Sequence, residues 1–385
     1  MGAFEEFAQR YVVAPAGEQP ALAEEFIRLQ QARSGFPIVG DDNTVVFFYC
    51  AQPGETASLI GDFATRAFLN IYWSASGLEM ERLGANGTVF IRRMKFESDA
   101  VIDYAFRVNG QYRLDSLNPH EDVGGPQGDE APRVSELRMR GYRPPAEAQP
   151  REGQPKGQVI SVEEPWAMPA ISIYLPPGYS PASRYPVLYT PDGSGWKGAL
   201  QLPTILDNLI ADHAIVPAIA VMIDTRADRG DWYQFNPEYL SYVSRVVAYV
   251  DERYSTQASP EGRIHIGTSA GGRAALQVAL EKPDLFRKVA LLSPGLNSYA
   301  HVLGPYFAGD KRPDRRIDVW MSAGTHEVGL FEDAKFFDRY LARTHVRHRT
   351  EYVHAGHTFS NWRQMVRPAL TYFLAPAPPS SRGTR

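Results

Sequence analysis

The second half of the chain alternates predicted strands with predicted helices, and this alternation restricts the fold more than any other feature. Short apolar runs typical of buried strands recur at 170–175, 185–190, 218–223, 263–266, 288–292, 317–321 and 350–353. Helical patterns separate the later runs at about 200–212, 237–253, 270–281, 332–343 and 362–373. Such alternation predicts an α/β fold with a mostly parallel sheet, whose functional site lies at the carboxyl ends of the strands.

Residues 1–145 carry a different pattern. A helical spacing at 21–33 precedes short alternating or aromatic runs at 44–50, 57–60, 87–96, 101–108 and 112–114, with Asn109-Gly110 as a hairpin turn. This pattern predicts an amino-terminal helix followed by an all-β sandwich. Residues 146–157 are rich in proline, glycine and charge, so we expect a linker there and the α/β domain at 158–378.

One serine stands in a G-x-S-x-G pattern between a predicted strand and a predicted helix. The segment Gly267-Thr268-Ser269-Ala270-Gly271 follows the apolar run at 263–266 and precedes an alanine-rich helical pattern. A sharp turn from strand to helix holds a serine hydroxyl out of the sheet, and small flanking residues allow the close backbone approach that the turn requires. Ser269 is therefore the predicted nucleophile.

A serine hydroxyl needs a base, and the base needs an orienting acid. His357 follows the last predicted strand, directly after Gly356, and is the predicted base; His354 is the alternative. The acid is expected after the preceding strand, where Glu327 lies in the first loop turn. Asp333 is the alternative acid, although its place in the first turn of a predicted helix also suits a purely structural role.

The tetrahedral intermediate of such a reaction requires two hydrogen-bond donors for its oxyanion. The backbone N–H of Ala270, which follows the nucleophile, is the first predicted donor. The second is expected in the loop that follows the strand 185–190, from Gly193 or Ser194.

Several segments together resemble the enterochelin esterase group, within the esterase D and carbohydrate esterase family 1 lineage. They are Asp192-Gly193, the turn 267–272, Ser293-Pro294-Gly295, the loop 323–327 and His357, with 59–63, 104–110 and 115–119 upstream. The resemblance implies an α/β-hydrolase catalytic domain at 158–378, preceded by an immunoglobulin-like early-set domain. It also implies hydrolysis of carboxylic esters and no metal or organic cofactor. In siderophore-processing members it also implies cleavage of a catecholoyl-serine lactone.

We expect a small-molecule ester as substrate, either siderophore-like or with an aromatic acyl group. Trp196, Arg229 and Trp232 are the predicted substrate contacts, because aromatic rings and cations would suit such a group. A feruloyl or acetyl carbohydrate esterase, or an acyltransferase of the same lineage, is the alternative. A non-catalytic glycan-binding protein is disfavoured because a complete set of catalytic residues is present.

Composition excludes several other classes. The net charge is −4, which offers no electrostatic footprint for nucleic acid, and no apolar run reaches membrane-spanning length.

The amino terminus lacks a secretory pattern, so a cytoplasmic location is expected, and a homo-oligomer is left open. Cys50 is the single cysteine and is expected to be buried. A metal site at His345, His348, His354 and His357 is disfavoured by neighbouring arginines.

Overall fold

The chain divides into two compact units. Unit 1 comprises Met1–Arg143 with the short segments Gly324–Gly329 and Val353–Asn361; unit 2 comprises Pro144–Ala323, Leu330–Tyr352 and Trp362–Arg385. The computed structural model describes residues 1–64, 76–123, 133–234, 236–296, 306, 317–344 and 346–377.

Unit 1 contains two helices and two antiparallel sheets among its described residues. The elements are α1 (Gly2–Val13), α2 (Gln19–Arg33), β1 (Ile38–Val39), β2 (Thr44–Cys50), β3 (Ala57–Gly61), β4 (Leu78–Glu79), β5 (Glu81–Arg82), β6 (Val89–Lys95), β7 (Val101–Val108), β8 (Gln111–Arg113), β9 (Glu121–Val123) and β10 (Arg133–Arg138). One sheet has the order β1-β2-β6-β5, and the other has the order β4-β3-β7-β10-β9 with β8 paired to β7. The predicted all-β amino-terminal domain is confirmed.

Strand β2 carries apolar side chains on both faces because both of its faces are covered. Val45 and Phe47 belong to a core shared with β7 of the other sheet, whereas Val46 and Phe48 pack in a second core with α1 and α2. An alternating pattern is therefore not required of this strand. The expectation of a buried Cys50 was wrong, because this residue is exposed at the end of β2.

The Asn109-Gly110 turn joins β7 to β8 as the sequence predicts. Val108 pairs with Gln111, and both turn residues have positive φ angles, +51° and +81°. Two central residues with positive φ define the tight hairpin turn whose twist matches that of the flanking strands.

Unit 2 is built on an eight-stranded sheet of order β11-β12-β14-β13-β15-β16-β17-β18. Its elements are β11 (Gln158–Ser161), β12 (Ile171–Leu175), β13 (Val187–Pro191), α3 (Gly193–Lys197), α4 (Leu202–Ala211), β14 (Ile219–Ile223), α5 (Arg229–Trp232), α6 (Pro237–Arg253), β15 (Arg263–Thr268), α7 (Ser269–Glu281), β16 (Lys288–Leu292), β17 (Asp318–Gly324), α8 (Val328–Thr344), β18 (Arg347–Val353) and α9 (Phe359–Leu374). The pairs β14–β13, β13–β15, β15–β16 and β16–β17 are parallel. The α/β fold class is confirmed.

The core of unit 2 joins the sheet to its helices. Apolar side chains of β12, β13, β14, β16 and β17 are buried with those of α6, α7 and α8. Strands β13 and β14 are accordingly buried over their whole length. No helix in the described part of the chain is long and apolar enough to cross a membrane.

The segment expected as a linker is attached to α4. Its 3₁₀ turn, Ala146–Ala148, is held where the Asn208 side chain donates to the Glu147 carbonyl at 2.7 Å. Farther along, Gln154 donates to the Asn208 side-chain oxygen at 2.8 Å. These bonds fix the segment within unit 2.

Candidate active site

Ser269 occupies a strained turn between β15 and α7 in unit 2. Its φ angle is +52°, in the left-handed region that residues with a side chain rarely adopt. A Cβ on Gly267 would overlap the backbone of Gly271, so only glycine fits where the turn folds back on the strand. Backbone strain of this kind concentrates at functional sites. The turn therefore has the conformation expected for a nucleophilic serine.

His357 and Glu327 form a buried pair in unit 1. His357 Nδ1 lies 3.0 Å from Glu327 Oε1, and the two side chains are 7% and 0% exposed. Since an ionised carboxylate only accepts hydrogen bonds, Nδ1 carries the proton and Nε2 is the nitrogen that can accept another. This is the tautomer that a general base for a serine hydroxyl requires.

The carboxylate of Glu327 is oriented by two further donors. The Gly324 N–H donates to Oε2 at 3.1 Å, and Asn361 Nδ2 donates to Oε1 at 3.1 Å. The same amide nitrogen of Asn361 donates to the Gly356 carbonyl at 2.7 Å, so it joins the acid to the backbone beside His357. Sequence reasoning missed Asn361, whose only signal is its place four residues after His357.

The alternative residues have other surroundings. His354 Nδ1 lies 2.6 Å from an oxygen of Asp99. Asp333 is buried on α8. His345 lies outside the described residues, and within the described ranges no cluster of three or more His, Cys, Asp or Glu could hold a metal ion.

The loop after β13 turns sharply into the short helix α3. Asp192 has a φ angle of +61° and caps the helix, which begins at Gly193. The first N–H groups of a helix have no partner within it, so they can bind an anionic oxygen. The N–H of Ser194 donates to the Asp224 carboxylate. Ala270, the other predicted donor, is buried in the first turn of α7.

Arg229 and Tyr233 hold Asp192 in this conformation. Arg229 Nε and Nη2 donate to the two carboxylate oxygens of Asp192 at 2.7 and 2.8 Å, a bidentate pair. The Asp192 N–H donates to the Tyr233 hydroxyl at 3.0 Å. Burial, together with the charge of Asp192, raises the pKa of Tyr233, so this hydroxyl stays protonated. Arg229 was predicted to contact the substrate, and that contact stays a prediction; in the structure its guanidinium pairs with Asp192.

The two predicted tryptophan contacts are core residues of unit 2. Trp196 is 0% exposed and Trp232 is 3% exposed. Trp232 packs edge-on against Tyr239 at 5.6 Å, and the guanidinium of Arg226 covers it at 4.7 Å from the ring centre. Rings enclosed in this way do not support the predicted contact with a substrate. The short helices α3 and α5 turn both rings inward.

The fold and these residues define an α/β-hydrolase: a left-handed serine between a parallel strand and a helix, and a Glu–His pair on the loops after β17 and β18. Residues 166–373 match the family described as "Putative esterase", which is more than half of the chain. The protein belongs to this esterase family, and the predicted class of ester hydrolase is confirmed.

Individual relatives are distant in sequence. The uncharacterized protein YjcH of Bacillus subtilis (strain 168) is 23% identical over 219 residues, which are 52% of this chain and 90% of the relative. The endo-1,4-beta-xylanase/feruloyl esterase of Xylanibacter ruminicola is 32% identical over 192 residues, or 43% of this chain and 26% of that protein. The chain therefore spans about a quarter of this second relative.

Similarity of structure extends over nearly the whole chain. The crystal structure of ferric enterobactin esterase from Salmonella typhimurium superposes with a TM-score of 0.72, covering 91% of this chain and 98% of that one at 16% identity. Such a match establishes a shared fold. It confirms the predicted likeness to the enterochelin esterases.

Proposed function

We propose that the protein hydrolyses a carboxylic ester through an acyl-serine intermediate, with Ser269 as nucleophile, His357 as general base and Glu327 as orienting acid. The observation that carries the proposal is the left-handed Ser269 between β15 and α7 in a member of an esterase family. The buried Glu327–His357 hydrogen bond supports the two remaining roles, because it selects the required tautomer.

In the first half of the reaction, Ser269 Oγ attacks the carbonyl carbon while His357 Nε2 accepts the hydroxyl proton. The imidazolium ring so formed is stabilised by the negative charge of Glu327. Collapse of the tetrahedral intermediate breaks the bond to the alcohol oxygen, which takes the proton from His357. Water then repeats the sequence on the acyl-serine, and the products are a carboxylic acid and an alcohol.

We assign the backbone N–H groups of Ala270 and Gly193 as the hydrogen-bond donors to the oxyanion of both tetrahedral intermediates. Ala270 follows the nucleophile, and Gly193 begins a helix whose first N–H groups have no partner within it. Gly193 is preferred to Ser194 because the Ser194 N–H already donates to Asp224. The ion pair of Arg229 with Asp192 would keep this loop in place.

The substrate we infer is an ester whose acyl portion carries an aromatic ring, with the iron-free catecholoyl-serine lactone as first choice. The fold match to an enterobactin esterase over 91% of the chain supports this choice. Arg229 is paired with Asp192, and Arg226 is paired with Asp228 and Glu238. Because these cations are neutralised, an uncharged ester fits better than a highly anionic iron complex.

A feruloyl ester of a sugar is the second candidate. The relative from Xylanibacter ruminicola, at 32% identity over 192 residues, carries feruloyl esterase in its name. A feruloyl group is likewise an uncharged aromatic acyl group, so the same charge argument applies.

One panel of specificity constants tests the substrate. It compares the lactone with and without iron, a feruloyl sugar ester and p-nitrophenyl butyrate, using wild type, Ser269→Ala and the exposed-serine control Ser241→Ala. We expect kcat/KM for the iron-free lactone to exceed that for p-nitrophenyl butyrate by at least about 100-fold. A higher value for the feruloyl ester would replace the first choice by the second. If neither aromatic ester exceeds p-nitrophenyl butyrate, the aromatic-acyl proposal is wrong.

A further inference from the structure

The loops that carry Glu327 and His357 fold with the amino-terminal part of the chain. Segments Gly324–Gly329 and Val353–Asn361 both belong to unit 1 together with Met1–Arg143. Val101, the first residue of β7, donates its N–H to the His354 carbonyl at 2.9 Å and forms a parallel bridge with Ala355. Ala355 is fully buried in a small cluster with Val101 and Tyr142. The loop that carries His357 is thus hydrogen-bonded to the first residue of β7.

Two acid–histidine pairs attach the same loops to the turn between β6 and β7. His354 Nδ1 lies 2.6 Å from Asp99 Oδ1, and His326 Nε2 lies 2.9 Å from Glu97 Oε2. Burial alone would raise the pKa of Glu97, but the hydrogen bond and the charge of His326 lower it overall. One pair therefore holds the loop of the acid and the other holds the loop of the base.

Asp62 contacts the residue next to the base. Its side chain is buried, and its Oδ2 accepts the N–H of Asp103 at 2.9 Å. A Cβ on Gly356 would overlap the carboxyl group of Asp62, so the loop backbone lies directly against this side chain. The Gly356 carbonyl also accepts a hydrogen bond from Asn361, which donates to Glu327 as well. Asp62 therefore supports the backbone segment that lies beside His357 and is joined through Asn361 to Glu327.

We propose that Asp62, Glu97 and Asp99 are positioning residues for catalysis, so that the amino-terminal domain sets the alignment of the Glu327–His357 pair. The proposal rests on the proposed roles of Glu327 and His357. A displacement of about 1 Å in a catalytic group can reduce a rate about 100-fold, so support of these loops should act on turnover. Exposed ion pairs are individually weak, whereas the buried Asp62 has a fixed geometry, and its loss should matter most.

The test compares two substitutions at Asp62 by kcat and KM on p-nitrophenyl butyrate. Asp62→Ala should lower kcat about 30-fold or more, with KM within about twofold of wild type. Asp62→Asn keeps the shape and an acceptor oxygen for the Asp103 N–H, so it should recover kcat to within about fivefold of wild type. Recovery by the isosteric variant is not expected of a residue that acts through its charge alone.

If Asp62→Ala does not fold, a double variant at the exposed residues Glu97 and Asp99 tests the same proposal. Glu97→Ala with Asp99→Ala should lower kcat about fivefold, and the rate of labelling by a fluorophosphonate should fall by the same factor. The matched control is Glu121→Ala, which removes the exposed partner of Arg133, 2.6 Å away in the same unit, and should leave both rates unchanged.

The two proposals fail by different results. If Ser269→Ala abolishes activity while the folded Asp62→Ala protein, or the Glu97→Ala/Asp99→Ala protein, keeps kcat within twofold of wild type, the positioning proposal is wrong and the esterase mechanism stands. A change in KM alone also overturns the positioning proposal. If Ser269→Ala retains full activity, the proposed mechanism itself is wrong.

Discussion

At the scale of single residues, the central feature is a carboxylate with three donors around it. Glu327 accepts from His357, from the Gly324 backbone and from Asn361, and it is fully shielded from water. A carboxylate so placed fixes both the tautomer and the direction of the imidazole ring. We expect this arrangement to distinguish Glu327 from Asp333, the alternative acid on α8.

Substitution of the pair tests that expectation. His357→Ala should lower kcat by about 10⁶, and Glu327→Gln by about 10² to 10⁴, because a residue that orients the base contributes less than the base itself. The measurement is steady-state hydrolysis of p-nitrophenyl butyrate, with the exposed Glu332→Gln as matched control. Wild-type turnover in Glu327→Gln together with a loss in Asp333→Asn would transfer the acid role to Asp333.

The places of Ser269, Glu327 and His357 along the chain could be predicted, because each of these residues follows the end of a predicted strand. Apolar runs mark the strands, and parallel strands bring their carboxyl ends to one edge of a sheet. Asn361 could not be predicted, because a single amide in the first turns of a helix has the same pattern whether it faces solvent or a buried carboxylate.

At the scale of elements, several periodic segments were predicted closely, whereas two short helices of unit 2 were not. Helices α6 and α7 and strands β7 and β16 match the predicted ranges to within one residue. Helices α3 and α5 have only five and four residues, so they contain too few turns to show a helical period. Trp196 and Trp232 lie on these two helices, so the sequence did not show that both rings are buried.

The two-residue strands of unit 1 were missed for a related reason. Strands β1, β4 and β5 are too short to show alternation, and only their partners reveal them. The amino-terminal helix α1 was also missed. Its buried residues, Phe4, Phe7, Ala8 and Tyr11, follow a helical spacing that becomes clear once the face of β2 that they cover is known.

At the scale of the whole molecule, the sequence did not show which segments of the chain make up unit 1. The pairs Glu97–His326 and Asp99–His354 join residues that are 229 and 255 positions apart. No local pattern encodes contacts of this separation. The sequence predicts where the β-rich half ends, but not that two later loops fold with it.

The stability of unit 2 should depend on pH through His265. This side chain is fully buried on β15 against Phe286, and burial lowers its pKa from 6.5 to about 3. Between these two values the unfolded chain binds a proton that the folded chain does not. The free energy of unfolding therefore falls as the pH falls from 6.5 towards 3, by about 1.4 kcal/mol per pH unit in the middle of that range.

Two variants without an ionisable group isolate this contribution. His265→Leu and His265→Gln should both gain about 2 kcal/mol relative to wild type when the pH is lowered from 7 to 5, whatever their absolute stabilities. Urea unfolding followed by tryptophan fluorescence is suitable, because five of the six tryptophans lie in unit 2. A difference that stays constant across this range would show that His265 titrates normally in the folded protein.

Covalent labelling tests whether Ser269 is a nucleophile that His357 activates. The wild-type protein is treated with a fluorophosphonate and digested, and the modified peptide is sequenced by mass spectrometry. We expect one phosphonate on Ser269, complete loss of labelling in Ser269→Ala, and labelling slowed at least about 1,000-fold in His357→Ala. A phosphonate on any other residue, or a wild-type labelling rate in His357→Ala, would show that Ser269 is not a nucleophile activated by His357.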